Sequence, residues 1–208
     1  GAVLLGLCEP AMTGIGGDCF VLVKPAGSEE IVALNGSGRA PAALSGAELR
    51  AKGHTKMPVF CDPAAVTIPG AVDAFCRLAE DHGRLGIDRL LAPTIQYAEA
   101  GVPVAPRAGF DWLHHSDNLN PTAQRYYLVN GAVPKVGQRF RHPEQAEVLR
   151  RIAAKGRAGF YEGEVAEDMV NSLRALGGVH TLEDFANTRS DYTTPISGSY
   201  KGVELVEH

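Results

Sequence analysis

Two short, uninterrupted apolar runs lie close together near the start of the chain, Cys19-Phe20-Val21-Leu22-Val23 and Ile31-Val32-Ala33-Leu34. Each has the length of a strand, and neither alternates with polar residues, so both read as strands covered on both faces. Lys24 to Ser28, with Pro25 and Gly27, forms the turn between them and predicts a hairpin. Such a hairpin needs a layer above it and a layer below. Strand-like sequence returns only at Pro195-Ile196 and at Val203 to Val206, with Lys201-Gly202 as the turn. The stretch between reads as mostly helical. This order lacks the regular alternation of a doubly wound sheet. It predicts an α+β fold built as one incomplete domain over residues 1–208. Sheet strands lie near 19–35 and 195–206, and a helical lobe is inserted over about 42–190.

Within the lobe, hydrophobic spacing and end signals mark the helices. Ala71 to His82 places Val72, Phe75, Cys76 and Ala79 on one face, and Gly83 follows as a C-cap glycine. Ile87 to Ala100 is amphipathic through Leu91, Ile95 and Ala98. Pro93 inside it predicts a short helix, a break, and a second helix with Pro93 in its first turn. Arg107 to Ser116 and Pro143 to Lys155 read as helices, the latter stopped at Gly156. Gly163 to Leu176 turns Val165, Met169, Leu173 and Leu176 inward. Thr181-Leu182-Glu183-Asp184 resembles a capping box that opens a short helix. Tyr126 to Val129, Asn130-Gly131 and Ala132-Val133 read as a small hairpin, because Asn-Gly suits a type I′ turn.

Composition narrows the function classes. Hydrophobic residues make up 45% and charged residues 21% of 208, an ordinary globular balance that argues against disorder. The net charge of −4 and the lack of a basic run give no footprint for nucleic acid. No apolar stretch reaches the length of a membrane span. Gly1 to Leu7 is apolar but has no basic flank, so it does not read as a signal peptide. It reads instead as the tail of a buried helix. The strand Val203 to Val206 lies at the other extreme, so both ends look cut through core elements. Cys8, Cys19, Cys61 and Cys76 form no C-x-x-C pair and read as small buried hydrophobes rather than zinc ligands or a disulfide framework.

The motifs do not amount to a self-sufficient catalytic site. Gly14-Ile15-Gly16-Gly17 lacks the third glycine of a dinucleotide fingerprint, since that position is Cys19. A strand follows it instead of a helix, and no P-loop lysine is present. It reads as a tight turn feeding a strand, with Thr13 as a turn residue. Asp111, His114 and His115 could share a helix face but lack a third ligand and a base, so they read as surface polar residues. No G-x-S-x-G elbow occurs. Nothing among these residues calls for a cofactor or a metal.

Read in order, four segments resemble one family. They are Glu9-Pro10 with Thr13 to Gly17 and Phe20 to Val23, then Ala40-Pro41-Ala42, then Val66 to Gly70, and a later stretch. That stretch runs through Gly159 to Gly163, Gly177-Gly178, Asp184-Phe185, Tyr192, Pro195-Ile196 and Tyr200 to Gly202. Together they are similar to the large subunit of the γ-glutamyltranspeptidases, a family that includes cephalosporin acylases. The resemblance covers essentially the whole chain and rests on colinear order. It implies the αββα sandwich of N-terminal nucleophile hydrolases, here as a partial large-subunit sandwich. It also implies a precursor that cleaves itself and frees a Thr at the start of a small subunit. That Thr, with its own α-amine as base, transfers or hydrolyses a γ-glutamyl or similar acyl group. The partners implied are that small subunit and a small-molecule acyl-amide substrate, and the nucleophile lies outside this chain. In γ-glutamyl-transferring members an Arg three positions before Ala-Pro binds the donor carboxylate. Here that position is Ser37, and Arg39 follows two residues later. Two roles stay open for Arg39: reaching the same carboxylate, or pairing with an acid at the core edge. Ser37 also argues for an acylase with another acyl preference, and a non-catalytic binding module is the third reading.

Overall fold

The computed structural model describes residues 1–58 and 62–208. Cys61 lies outside the described residues. Helix α1 (Ala2–Cys8) leads through the glycine loop into β1 (Cys19–Val23), which pairs antiparallel with β2 (Val32–Gly36), as the hairpin pattern requires. After the short helix α2 (Gly46–Ala51) the lobe begins with α3 (Ala71–Asp81) and α4 (Ile87–Ala100). Strand β3 (Val102–Pro103), helices α5 (Pro106–His115) and α6 (Pro121–Tyr127), and strand β4 (Arg139–Phe140) follow. Next come α7 (Pro143–Lys155), α8 (Ala158–Tyr161), α9 (Gly163–Ala175) and α10 (Leu182–Asn187). The chain closes with β5 (Asp191–Thr193), β6 (Ile196–Tyr200) and β7 (Val203–Glu207).

The sheet is fed from both ends of the chain, but by a different segment from the one expected. Strand β5 completes the order β1-β2-β5, placing Thr193 opposite Ala33 and Asp191 opposite Asn35. Among the described residues, 196–207 pair only with each other, around Lys201 and Gly202, both at positive φ. Pro195 explains the division, because it has no N–H to carry the ladder onward. The expectation of two covered faces holds for β2, where Ala33 and Leu34 are buried. It fails for β1, where Phe20 and Leu22 face solvent.

Two apolar clusters hold the lobe. One joins Ile68, Val72, Cys76, Leu91, Leu149 and Phe160 with Val170 and Phe185, and so ties α3 and α4 to α7 through α10. The other gathers Leu7, Ala98, Val102, Trp112, Phe140 and Ala146. Helices α4 and α7 contribute to both, which explains why α4 runs unbroken through Pro93. Pro93 sits on the exposed side, so the carbonyl it leaves unpaired can face water while Leu91 and Ala98 stay packed. Leu176 is exposed rather than inward, because α9 ends at Ala175 and Leu176 is the cap residue leaving the helix. Ala166 and Val170 are the fully buried positions of α9. Tyr126 and Tyr127 belong to α6, not to a hairpin. Asn120 caps that helix, its side chain accepting from the Ala123 N–H at 2.8 Å, and Pro121 sits in the first turn. Only a Val129–Ala132 bridge remains of the predicted hairpin. Asn130 and Gly131 adopt the two positive φ values, 54° and 77°, of a type I′ turn.

Candidate functional site

The segment that bears the sequence-predicted site residue is clamped at almost every position. Asn35 Oδ1 accepts from the Ser37 N–H at 2.9 Å, and Asp18 Oδ1 accepts from the Gly38 N–H at 2.6 Å. The Arg39 carbonyl accepts from the Ile68 N–H at 2.9 Å. Asp184 Oδ1 accepts from the Ala42 N–H at 3.0 Å. Gly38 is required here, because a Cβ would fall 1.8 Å from the Ile68 carbonyl oxygen. The same close approach explains Pro69-Gly70 at the start of α3: a Cβ on Gly70 would lie 2.1 Å from the Gly36 oxygen. The glycine loop serves this contact too. The Gly17 carbonyl accepts from the N–H groups of Gly70 and Ala71, so the loop docks the helix start.

From this fixed backbone the Arg39 side chain projects into solvent and donates to Asp191 Oδ2 at 3.0 Å. Arg39 is 75% and Asp191 59% exposed in their side chains, so the pair is open to exchange. Of the two roles left open by the sequence, the acid partner is the one visible in this chain. Ser37 sits on the same loop, half-buried.

Asp191 is held by a network that sequence reasoning missed. On α3, Asp73, Arg77 and Asp81 lie four residues apart and form one polar stripe facing the approach to β5. Asp73 is buried, and Oδ2 accepts from both the N–H and the hydroxyl of Ser190 at 2.6 Å. Its Oδ1 accepts from Arg157 Nε at 2.6 Å. Arg157 in turn donates to the carbonyls of Ala186 and Thr188 and lies over the Tyr161 ring. The Tyr161 hydroxyl donates to the Pro69 carbonyl at 2.7 Å, and burial pushes its pKa up. Arg77 donates to the Ser190 carbonyl at 2.6 Å, and the Tyr192 hydroxyl donates to Asp81 at 2.6 Å. Burial, then the bond to Asp81, raise the Tyr192 pKa to about 12. The i, i+4 and i+8 spacing marks a charged stripe on α3 but does not identify its distant partners Ser190 and Arg157.

Asp184 supports the loop from the other side. It completes the capping box expected at Thr181, whose N–H donates to it at 2.9 Å and whose hydroxyl donates at 2.7 Å. Burial pushes this carboxyl up, but hydrogen bonds from Ala42 and Thr181 outweigh it and leave the pKa below the ordinary value.

A separate cavity of about 740 Å³ opens between the glycine loop and helices α7 and α9. His142, Glu144, Glu147, Arg151, Glu164 and Asp168 line it. Arg151 is already paired with Glu147 and Glu164. His142 caps α7: Nδ1 accepts from the Gln145 N–H at 3.2 Å. Burial lowers its pKa and Glu144 partly offsets this, which favours the neutral ring that the cap uses. Asp111 pairs with Arg107 at 2.7 Å, and His114 contacts the carbonyl of Phe110 within its own helix. Those two residues are therefore occupied locally. Among the described residues no cluster of three or more His, Cys, Asp or Glu side chains could hold a metal ion. None of the described helices is long and apolar enough to cross a membrane.

A sheet with strands from both ends of the chain, a helical lobe between them and a clamped loop after the second strand match the N-terminal nucleophile hydrolase fold of the γ-glutamyltranspeptidase type. The family model described as gamma-glutamyltranspeptidase matches residues 1–208, and the chain belongs to that family. It is 33% identical to the glutathione hydrolase-like YwrD proenzyme of Bacillus subtilis, over 98% of this chain and 39% of the relative. It is 36% identical to the oxamate amidohydrolase proenzyme of Klebsiella pneumoniae, over 94% of this chain and 38% of that protein. Among solved structures, γ-glutamyltranspeptidase of Helicobacter pylori superposes with a TM-score of 0.91 at 26% identity, covering 99% of this chain and 60% of that one. Cephalosporin acylase of Bacillus halodurans superposes with a TM-score of 0.90 at 36% identity, covering 99% and 39%. The chain thus spans about a third to two fifths of the length of the curated relatives it matches.

Proposed function

We propose that this chain is the large-subunit part of an enzyme that transfers or hydrolyses a γ-glutamyl or similar acyl group. In this reading the nucleophile is an N-terminal Thr on a small subunit released from the same precursor, and residues 1–208 form one incomplete domain that the small subunit completes. One observation carries the proposal: the apolar sheet surface is bare. Phe20 on β1, and Ile196, Tyr200, Val203 and Leu205 on β6 and β7, are each 59% exposed or more. Surface of this kind, on a sheet, awaits a covering layer. Relatives named as proenzymes accord with a partner cut from the same chain.

Within that enzyme, Arg39 binds the free carboxylate of the acyl donor. A guanidinium offers five N–H donors and suits bidentate carboxylate binding, and its present partner is exposed and exchangeable. Ser37, where γ-glutamyl-transferring members carry Arg, supports a second reading, an acylase acting on glutaryl or related amides. The 36% identity to a cephalosporin acylase favours the same reading. The test is kcat/KM of the complete protein on γ-glutamyl anilides and glutaryl amides, for wild type, Arg39→Ala and Ser37→Arg. Loss of one charge-assisted contact, about 1.5–3 kcal/mol, predicts a drop of about one to two orders of magnitude in Arg39→Ala. Ser37→Arg should shift preference towards γ-glutamyl donors. Failure of the complete protein to turn over either donor class would leave a non-catalytic binding module as the better account.

A further inference from the structure

The cavity between the glycine loop and helices α7 and α9 has a lining whose chemistry fits one kind of ligand. Its floor is apolar. Ile15 from the loop, Val148 from α7, and Val165 and Met169 from α9 pack against the main core yet stay partly open. Tyr126 and Tyr127, at the end of α6, add an aromatic wall. The volume of about 740 Å³ falls in the range of small-molecule sites, roughly 300–1,000 Å³. The rim is acidic. Helical spacing puts Glu144, Glu147 and Arg151 on the face of α7 that lines the cavity, and Glu164 and Asp168 on the facing side of α9. Arg151 ties the two helices together by pairing with Glu147 and Glu164, which uses up the one guanidinium of the lining. Among the described residues no basic side chain pairs with Asp168, and Glu144 approaches only the His142 ring, at 3.5 Å.

His142 supplies an independent feature. It is 8% exposed, and it lines the cavity. Because Nδ1 accepts from the Gln145 N–H, the neutral ring carries its hydrogen on Nε2. That donor has no acceptor among the described residues. Tyr126 stacks parallel to the ring, with centroids 5.9 Å apart, and Tyr127 meets it edge-on, so the donor is held in one orientation.

We propose that this cavity binds a small organic ammonium ion that has an apolar body and a hydrogen-bond acceptor, such as an aryl- or alkylamine carrying an ether or hydroxyl oxygen. The body covers the apolar floor, and the ammonium answers Glu144 or Asp168 at the rim, next to the tyrosine rings. The oxygen accepts from His142 Nε2. A neutral ligand of the same shape leaves both free carboxylates unanswered, and an anion meets four carboxylates whose only cation is already engaged.

The experiment is calorimetric titration of the complete protein with phenoxyethylammonium, phenoxyethanol and phenoxyacetate, three probes that share one body and one ether oxygen but differ in charge. The cation should bind about fivefold more tightly than the alcohol, the upper end for an exposed ion pair, and phenoxyacetate should not bind. The preference should shrink at high ionic strength. The double variant Glu144→Gln/Asp168→Asn keeps the side-chain shapes and should erase the preference without weakening the alcohol. Arg39→Ala should leave all three unchanged, because Arg39 does not line the cavity. Equal binding of cation and alcohol by the wild type, or a preference that survives in the double variant, would overturn the proposal. So would a lack of binding by all three probes at millimolar concentration, which would mean that the remainder of the protein fills or covers the cavity.

Discussion

Replacing Asp73 by Ala removes the carboxylate at the centre of the α3–β5 connection. Asp73 is 4% exposed, and its carboxylate accepts three hydrogen bonds of 2.6 Å, two from Ser190 and one from Arg157. Removing one partner of a buried ion pair costs about 3–5 kcal/mol, mainly because the other charge is left uncompensated. Arg157 keeps its bonds to the Ala186 and Thr188 carbonyls and its place over Tyr161, so the lower end applies, about 3 kcal/mol. The loss should be concentrated where Asp73 acts. Hydrogen exchange on the complete protein should show the β5 ladder amides losing about a hundredfold in protection, with α7 much less affected. Asp73→Asn retains acceptors for Ser190 and should lose less. Protection in β5 within a factor of about five of wild type in Asp73→Ala, under 1 kcal/mol, would refute the claim that this buried carboxylate organises the strand.

Other perturbations follow from the same contacts. Burial lowers the His142 pKa in the folded protein below its unfolded value near 6.5, so its contribution should be intact above about pH 6.5 and decline as the pH falls below it. His142→Asn keeps a capping acceptor and should flatten that part of the pH–stability curve, which urea titrations at stepped pH would check. Residues 1–208 expressed alone should self-associate through β1 and the β6–β7 hairpin; a monodisperse monomer in sedimentation would contradict this. The same isolated chain should not turn over γ-glutamyl or glutaryl anilides, because an acyl-enzyme route needs a nucleophile it does not supply.

Much of the architecture was legible where a local pattern carries it. The β1–β2 hairpin follows from two apolar runs and a turn, and α7 from its spacing and Gly156. The Thr181–Asp184 capping box follows from four adjacent residues. What was misread or missed depends on competition or on distance along the chain. Tyr126 and Tyr127 favour strand by themselves, but a cap and a proline six and five residues before Tyr126 set a helix first. Pro93 signals a break, yet packing of α4 in two clusters holds the helix straight through. The partner of β2 is three residues just before a proline, too short to show a period. The candidate site shows the same division. Arg39 and Ser37 stood out through their place before Ala-Pro. Asp73 did not, since its partners Arg157 and Ser190 lie 84 and 117 residues away and no local spacing announces them.

The function proposed here requires residues 1–208 to be part of the large subunit of a self-processed enzyme. The direct measurement is the intact mass of the purified complete protein, together with the N-terminal sequence of each piece. The account predicts two tightly associated polypeptides, the larger containing residues 1–208 and the smaller beginning with Thr. Replacing that Thr by Ala should leave a single uncleaved chain. A wild-type protein that remains one polypeptide while turning over acyl amides, or a smaller piece that begins with a residue lacking a nucleophilic side chain, would contradict it.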